Sequence, residues 1–389
     1  MRWIKKVEED NFKKIPFGQL GIIVHESCKE LGKKIDKYLV QKRKDMLAEC
    51  SEEYQVEKLQ ESYIIESEII RFSNGEGKGH LKETIRGKDI FVIADVGNYS
   101  VTYNMFGQEN RMSPDDHFQD IKRLISAIAG KARRIHVIMP LLYESRQDKR
   151  NSRESLDCAM ALQELENLGV ENIFTFDAHE PRVQNAIPQT GFESLHSTYQ
   201  IIKALKRVEE DLNLDLDKDK LMVISPDTGA MNRAIYYAGV LGSDVGLFYK
   251  RRDYKKIVNG QNPIVQHEYM GAEVAGKDVL IVDDMIASGG SVFDISKELK
   301  KKNARNIFVA VSFTFFTNGI EKMDEYYKKG YIQKLFSTNL TYIPQKFKDS
   351  DWFEEVDMSK LIAHLIDTVN YDESVSPLLD ATDKIKGIL

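Results

Sequence analysis

The chain has 389 residues, 42% of them hydrophobic and 30% charged, and a net charge of −6. That composition describes folded material rather than a disordered chain, its length calls for two domains, and the acidic balance argues against a nucleic-acid partner. No stretch approaches the roughly 20 apolar residues of a membrane helix. Cys28, Cys50 and Cys158 are widely spaced and form no CxxC, which fits free thiols in a reducing compartment and gives no zinc site. Residues 1–14 alternate charged and apolar residues and lack the apolar core of a signal peptide, so a cytoplasmic location is expected.

In chain order, 21–24 reads as a short strand and 27–39 as a helix. The charged stretch 41–61 has few β-formers and reads as a helical extension or a solvated insertion. Strands are expected at 89–96 and 134–139, with a helix over 116–129 between them. The polar segment 97–114 is too long for a routine loop. A helix over 153–168, a strand at 173–176 and a helix over 197–212 follow. Strands at 221–225, 245–249, 279–282 and 307–313 complete the series. Such alternation means parallel sheets flanked by helices, with ligands beyond the C-terminal ends of the strands.

The run from Val279 to Ser291 carries the most chemistry. Four apolar residues end in Asp283 and Asp284; a small-residue loop, Ala287, Ser288, Gly289, Gly290 and Ser291, then opens a helical pattern. A strand, a tight turn and a helix start aim backbone N–H groups and a helix dipole at one point, which suits a phosphate. Two adjacent acids suit sugar hydroxyls or a hydrated Mg2+, and phosphate, diol and metal together describe a phosphorylated ribose. The ordinary alternative is a strand-loop-helix whose acids cap the helix. Other strand ends are equally polar: Arg146, Arg150 and Arg153 after one, His179 and Arg182 after another, then Asp227 and Arg233, then Lys250, Arg251 and Arg252. Arginine and lysine supply donors matched to phosphate oxygens, so these ends read together as one large site for an anionic substrate.

These residues bring a family into view. The chain resembles ribose-phosphate diphosphokinases, also called phosphoribosyl pyrophosphate (PRPP) synthetases, from about Leu20 to Ser376, with insertions near 41–66 and 97–114. The motifs fall in family order: Arg71-Phe72-Ser73-Asn74-Gly75-Glu76, Ile85 to Asp89, Arg146-Gln147-Asp148, Ser152-Arg153-Glu154, Asp177-Ala178-His179, Ser225-Pro226-Asp227, Lys250-Arg251-Arg252, the Asp283 loop, Thr338-Asn339 and Ser374-Val375-Ser376.

The resemblance implies an α/β fold of two phosphoribosyltransferase-like domains, each a mostly parallel sheet flanked by helices. The first would span 15–192, completed by 370–389, and the second 193–369. It implies Mg2+-dependent transfer of the β,γ-diphosphoryl group of ATP to the anomeric hydroxyl of ribose 5-phosphate, giving PRPP and AMP. Lys250 and Arg252 would be catalytic, neutralising the transferring group. Arg146, Gln147 and Asp148 would hold ATP, with Phe72, Asn74 and Glu76 at the adenine from a neighbouring subunit. Asp283, Asp284, Ala287, Ser288, Gly289, Gly290 and Ser291 would bind ribose 5-phosphate. His179 and Asp227 would hold or orient Mg2+, Asp227 being the better direct ligand for a hard cation. Ser374, Val375 and Ser376 would belong to an allosteric site between subunits of a homo-oligomer, a hexamer built from dimers. After Lys250 and Arg252, the stretch 253–276 carries Gly260 and Gly271 and is long enough to close as a lid.

Departures from the family pattern mark a divergent member. Ala287 stands where a third acid is usual, Ser288 and Ser291 replace threonines, Asn74 replaces an Asp beside adenine, and Ala230 replaces a glycine. Thirteen residues follow Ser376, where related chains end almost at once. Two other readings compete. A non-catalytic synthetase-like regulatory subunit is suggested by Ala287 and Asn74, yet Lys250, Arg252 and His179 all remain. A PRPP-using phosphoribosyltransferase shares the acid-acid-phosphate loop but leaves 71–76 and 146–154 unexplained.

Overall fold

The computed structural model describes residues 15–49, 59–150, 152–252 and 264–389. Strand β1 (Gln19–Val24) leads into the long helix α1 (Lys29–Glu49). A hairpin follows, β2 (Ser67–Arg71) and β3 (Gly77–Leu81), then β4 (Lys88–Ile93). A second hairpin, β5 (Thr102–Met105) and β6 (Gln108–Arg111), precedes α2 (Pro114–Ile128) and β7 (Arg134–Ile138). Helix α3 (Asp157–Asn167) and strands β8 (Asn172–Phe176) and β9 (Gly191–Leu195) complete the first half. The second half runs α4 (Thr198–Arg207), β10 (Leu221–Ser225), α5 (Met231–Leu241), β11 (Asp244–Arg252) and β12 (Ile264–Met270). Then come β13 (Asp278–Ile286), α6 (Gly290–Lys301), β14 (Ile307–Thr314), α7 (Glu321–Lys328), β15 (Lys334–Thr338), β16 (Phe353–Val356) and α8 (Ser359–Asn370).

One sheet has the order β1-β4-β7-β8-β9, the other β12-β11-β10-β13-β14-β15-β16. Every pairing in the first is parallel, and in the second only β12 runs antiparallel. Strands such as β10, Leu-Met-Val-Ile-Ser, are buried along their whole length because helices cover both faces. The outer face of each sheet has its own core, and the inner faces share a third, which includes Ile22 and Phe91 from one sheet, Leu280 and Phe336 from the other, and Ile362 of α8. The segment after Ser376 joins this shared core through Ile385, which is fully buried.

Several elements differ from the expectation. The strand placed at 279–282 continues through Asp283 and Asp284 to Ile286, because β14 runs alongside and pairs with Asp283, Met285 and Ile286. Acids are poor strand formers, but a neighbouring strand overrides that preference. Helix α1 extends to Glu49, so of the two readings of the charged stretch from Gln41 the helical extension holds as far as Glu49. Its Arg43 is 2% exposed and donates to Asp367 (3.1 Å) and Asn370 (2.7 Å) of α8. Removing one partner from such a buried pair costs about 3–5 kcal/mol. Helix α3 begins at Asp157, later than the 153 expected. Strands β15 and β16 lie beyond the point where the strand series was expected to close.

Candidate active site

The C-terminal ends of β8, β10 and β13 converge on a cavity of about 810 Å3 between the two sheets. Arg146, His179, Asp227, Asp283, Asp284, Ala287, Ser288, Gly289, Gly290 and Ser291 all line it. The first sheet supplies Arg146 and His179, and the second supplies the rest.

Within β13 the acids differ in environment. His179 Nδ1 lies 2.7 Å from Asp284 Oδ2, linking the two halves of the chain. That hydrogen bond raises the His179 pKa against the opposing effect of burial. Burial also works against ionising Asp284, but the His179 hydrogen bond and the Arg233 charge outweigh it and hold the carboxyl below its usual range. Asp283 moves the other way: burial, then the adjacent Asp284 charge, push it well above the ordinary carboxylate range. Adjacent carboxylates cannot both ionise cheaply in a low-dielectric site. A cation or a sugar diol arriving there would relieve that cost.

The loop after β13 is held by backbone bonds from Phe315 to the Ile286 carbonyl and from Thr317 to the Ala287 carbonyl, both 2.9 Å. Gly289 sits at φ +84°, and a Cβ there would fall 2.7 Å from the Phe293 ring, so conformation and space both require glycine. Gly289 is the N-cap of α6 and offers no side-chain cap, leaving the helix's first N–H groups to the cavity. Asp227 Oδ1 accepts from the backbones of Gly229 (3.0 Å) and Ala230 (3.3 Å), which fixes the turn after β10.

Two residues that the sequence placed at polar strand ends without assigning them a role complete the site. Arg233, on the first turn of α5, sits 3.9 Å from Asp283 Oδ1 and 3.8 Å from Asp177 Oδ1. Its place one helical turn past the 225–229 loop was the available signal. Asp177 is buried at φ +43°, an uncommon conformation for a non-glycine residue. It accepts from the backbone N–H and the hydroxyl of Ser197 and from the Ser312 hydroxyl, and pairs with His196 Nδ1 at 3.0 Å. Burial opposes its charge, but His196 and Arg233 hold its pKa far below the ordinary range, and His196 is raised by the same bond. Asp177 thus orients groups at the cavity's rear.

Other expected residues lie elsewhere. Gln147 donates to the Ser155 carbonyl (3.1 Å), and neither it nor Asp148 lines the cavity. Phe72, Asn74 and Glu76 form the β2–β3 turn, away from the chain's own cavity. Phe72 is 47% exposed, and Asn74 is tied to Glu76 by a 2.9 Å side-chain bond. The backbones of Lys250 and Arg252 end β11, paired with β12, but their side chains lie outside the described residues, as does 253–263 of the expected lid. Ser374 and Ser376 are hydrogen-bonded to each other, remote from the cavity.

The donor set fits a hard cation held partly by substrate. Among the described residues no group of three or more His, Cys, Asp or Glu is disposed to hold a metal ion. Mg2+ is usually bound through one or two carboxylates together with substrate phosphates and water, and Asp227 and the Asp283–Asp284 pair offer that chemistry. His179, committed to Asp284 and biased toward its protonated form, suits orienting a carboxylate better than ligating.

The fold defines a chain of two phosphoribosyltransferase-like domains with a polar cavity between their sheets. A family described as the N-terminal domain of ribose phosphate pyrophosphokinase matches residues 20–169, and one described as the phosphoribosyl transferase domain matches 191–344. The chain belongs to the ribose-phosphate pyrophosphokinase family. It is 27% identical over 313 residues to the ribose-phosphate pyrophosphokinase of Chlorobaculum tepidum, covering 80% of this chain and 86% of the relative. With that of Bacillus caldolyticus it shares 26% identity over 317 residues, covering 80% and 89%. The crystal structure of phosphoribosylpyrophosphate synthetase from Mycobacterium smegmatis superposes with a TM-score of 0.70 at 19% identity, over 91% of this chain and 99% of that one, and so shares its fold.

Proposed function

We propose that the chain is a ribose-phosphate diphosphokinase that forms PRPP and AMP from ribose 5-phosphate and ATP with Mg2+. The observation that supports this most is the pairing across the cavity: Arg146 and His179 of the first half face the Asp283 loop of the second. A transferase that consumes PRPP has no need of a second domain's cations at its sugar-phosphate loop.

Asp283 and Asp284 hold the ribose hydroxyls, and the backbone of Ser288, Gly289, Gly290 and Ser291 cradles the 5-phosphate. Arg146, Gln147 and Asp148 bind ATP, and Phe72, Asn74 and Glu76 receive its adenine from a neighbouring copy in a homo-oligomer. The anomeric oxygen bonds to the β-phosphorus as the bond to the bridging oxygen of AMP breaks, and the hydroxyl proton departs to solvent or base. Little covalent work falls to the protein in such a transfer; position and charge dominate. Lys250 and Arg252 neutralise the transferring group, and Arg233 holds Asp283 in place. Asp227 and the β13 carboxylates would hold a Mg2+ ion, which would neutralise charge on the nucleotide. The protein acts in the cytoplasm, and Ser374, Val375 and Ser376 contribute to a regulatory site between copies.

The test is product formation by purified protein with ATP, ribose 5-phosphate, Mg2+ and phosphate. Stoichiometric AMP and PRPP are expected. ATP binding without product would instead mark a regulatory subunit, favoured by Ala287, and PRPP binding without ATP binding would mark a transferase.

A further inference from the structure

The 97–114 segment that the sequence left unassigned builds the β5–β6 hairpin, and its tip is unusual. The two-residue turn is Phe106–Gly107, with φ of +49° and +75°. Positive φ at both turn positions is the geometry that favours Asn, Asp or Gly. Phenylalanine there pays a steric cost for its Cβ. Its ring is also 78% exposed, more than any other large apolar side chain among the described residues. An aromatic placed against both backbone preference and hydration points to a use for the ring.

The hairpin docks on the β2–β3 turn. Phe106 N–H donates to the Ser73 carbonyl at 2.8 Å. A Cβ on Gly75 would fall 2.6 Å from Met105 Sδ, so the hairpin's last strand residue lies directly against that glycine. At the turn's base, the Arg71 guanidinium lies 4.9 Å from the Tyr103 ring centroid while bonding Asp120 at 2.6 Å. The tip therefore stands beside Phe72, itself 47% exposed, and neither ring lines the cavity of its own chain.

We propose that the β5–β6 hairpin is a second wall of the nucleotide site, with Met105 and Tyr103 fixing the 72–76 turn and Phe106 adding an aromatic face to the purine of ATP bound in a second copy of this chain. This rests on the diphosphokinase reading, in which 72–76 meets adenine. Aromatic rings that jut from a rigid turn suit a planar base, which stacks on them whatever its edge.

The variants Phe106→Asn and Phe106→Trp test it in the full-length oligomer. Asparagine suits positive φ, so the turn keeps or gains stability while the ring is lost. Binding of the non-transferable analogue α,β-methylene-ATP, measured by calorimetry, should weaken about tenfold in Phe106→Asn, as expected for one stacking contact. Phe106→Trp should bind within about twofold of wild type. The KM for ATP should follow, with kcat and the KM for ribose 5-phosphate little changed and the melting temperature unchanged or higher for asparagine. Wild-type analogue binding by Phe106→Asn overturns the proposal while leaving the diphosphokinase reading intact if both proteins turn over. Equal weakening in both variants with lower melting temperatures overturns it too, since the hairpin would then act only as scaffold. Weakened analogue binding in a chain that makes no PRPP sinks the reaction assignment and keeps the wall. A wild-type chain that binds no analogue overturns both.

Discussion

The two sheets repeat one topology, and the same strand end is open in one and closed in the other. The order β1-β4-β7-β8-β9 matches β10-β13-β14-β15-β16, so β4 corresponds to β13. Near the end of β13, Asp283 and Asp284 face a cavity, and the following α6 starts at a glycine without a side-chain cap. Beyond β4, Asp95 is 2% exposed and accepts from Gly97 N–H (2.8 Å), Thr341 Oγ1 (3.0 Å) and Tyr342 N–H (3.0 Å). The following helix, α2, caps itself: Ser113 and Asp116 form a reciprocal capping box behind Pro114. Even the cross-sheet contacts correspond. His179, three residues past β8, reaches Asp284, and Thr341, three residues past β15, reaches Asp95. A second cavity of about 670 Å3 exists at the closed end, but its Lys29, Lys34 and Lys348 are paired with Glu26, Asp357 and Glu355. At the open end the uncapped start of α6 leaves its N–H groups to the cavity, whereas at the closed end α2 satisfies its own. The duplicated acid, walled in, becomes a clamp between the domains.

The sharpest break of this comparison is a matched pair of substitutions. Asp284→Asn removes a charged hydrogen bond to His179 and, under the proposed function, a ligand for sugar or cation. Loss of kcat/KM for ribose 5-phosphate on the order of 100-fold is expected. Asp95→Asn, its counterpart, should leave kcat/KM within about twofold, since Asp95 bonds Gly97, Thr341 and Tyr342 and does not line the active-site cavity. Steady-state kinetics on both would undo the comparison if the two variants lost activity alike.

A second pair probes the glycines. Gly289→Ala forces a Cβ to φ +84° against the Phe293 ring and should raise the KM for ribose 5-phosphate about tenfold. In Gly97→Ala the new carbon would meet Leu141, Thr341 and Phe315 at 2.9, 3.0 and 3.1 Å. That wedges the domain contact and should cost about 1–3 kcal/mol in denaturant melts, with the KM unchanged.

How far this arrangement could be read from the sequence depends on which residues carry it. The β13 acids and the 287–291 loop are contiguous, and their local pattern already declares a phosphate site. The strand's continuation through the acids was not legible, because only pairing with β14 keeps it extended. Asp95 looks like any acid after a strand; its partners lie about 246 positions away, at Thr341 and Tyr342. Arg233 and Asp177 likewise meet only in the folded chain. The β5–β6 hairpin lacks the Asn-Gly or Asp-Gly signal, and Phe106 in its place hid the turn.

The clamp should also have a pH signature. Burial pushes Asp95 up to about 7, against the pull of Gly97, Thr341 and Tyr342. Its folded pKa then exceeds the unfolded value near 4, so the folded chain keeps a proton that the unfolded chain releases. Stability from this group is greatest below about pH 4 and falls as pH rises toward 7. Melts of wild type against Asp95→Asn should show the wild type gaining about 2–3 kcal/mol relative to the variant between pH 8 and pH 5. A pH-independent gap would mean the carboxylate is ionised throughout and acts only as an acceptor.

The smallest expected effect concerns the missing third acid of the open end. Ala287 keeps its backbone role, since its carbonyl accepts from Thr317 at 2.9 Å, so Ala287→Asp changes only what projects from the loop. A third carboxylate joins Asp283, already pushed up by burial and by Asp284. Without a cation the added charge should make sugar-phosphate binding weaker. With saturating Mg2+ it offers one more oxygen to the ribose or the metal shell, and kcat/KM should stay equal or rise about threefold. Titrating Mg2+ against activity in wild type and variant separates these terms: the variant should need less cation for half-maximal rate. A sharp fall at saturating Mg2+ would show that the open end has repacked around alanine, and that its departure from the family pattern is an adaptation of this pocket and not a deficit.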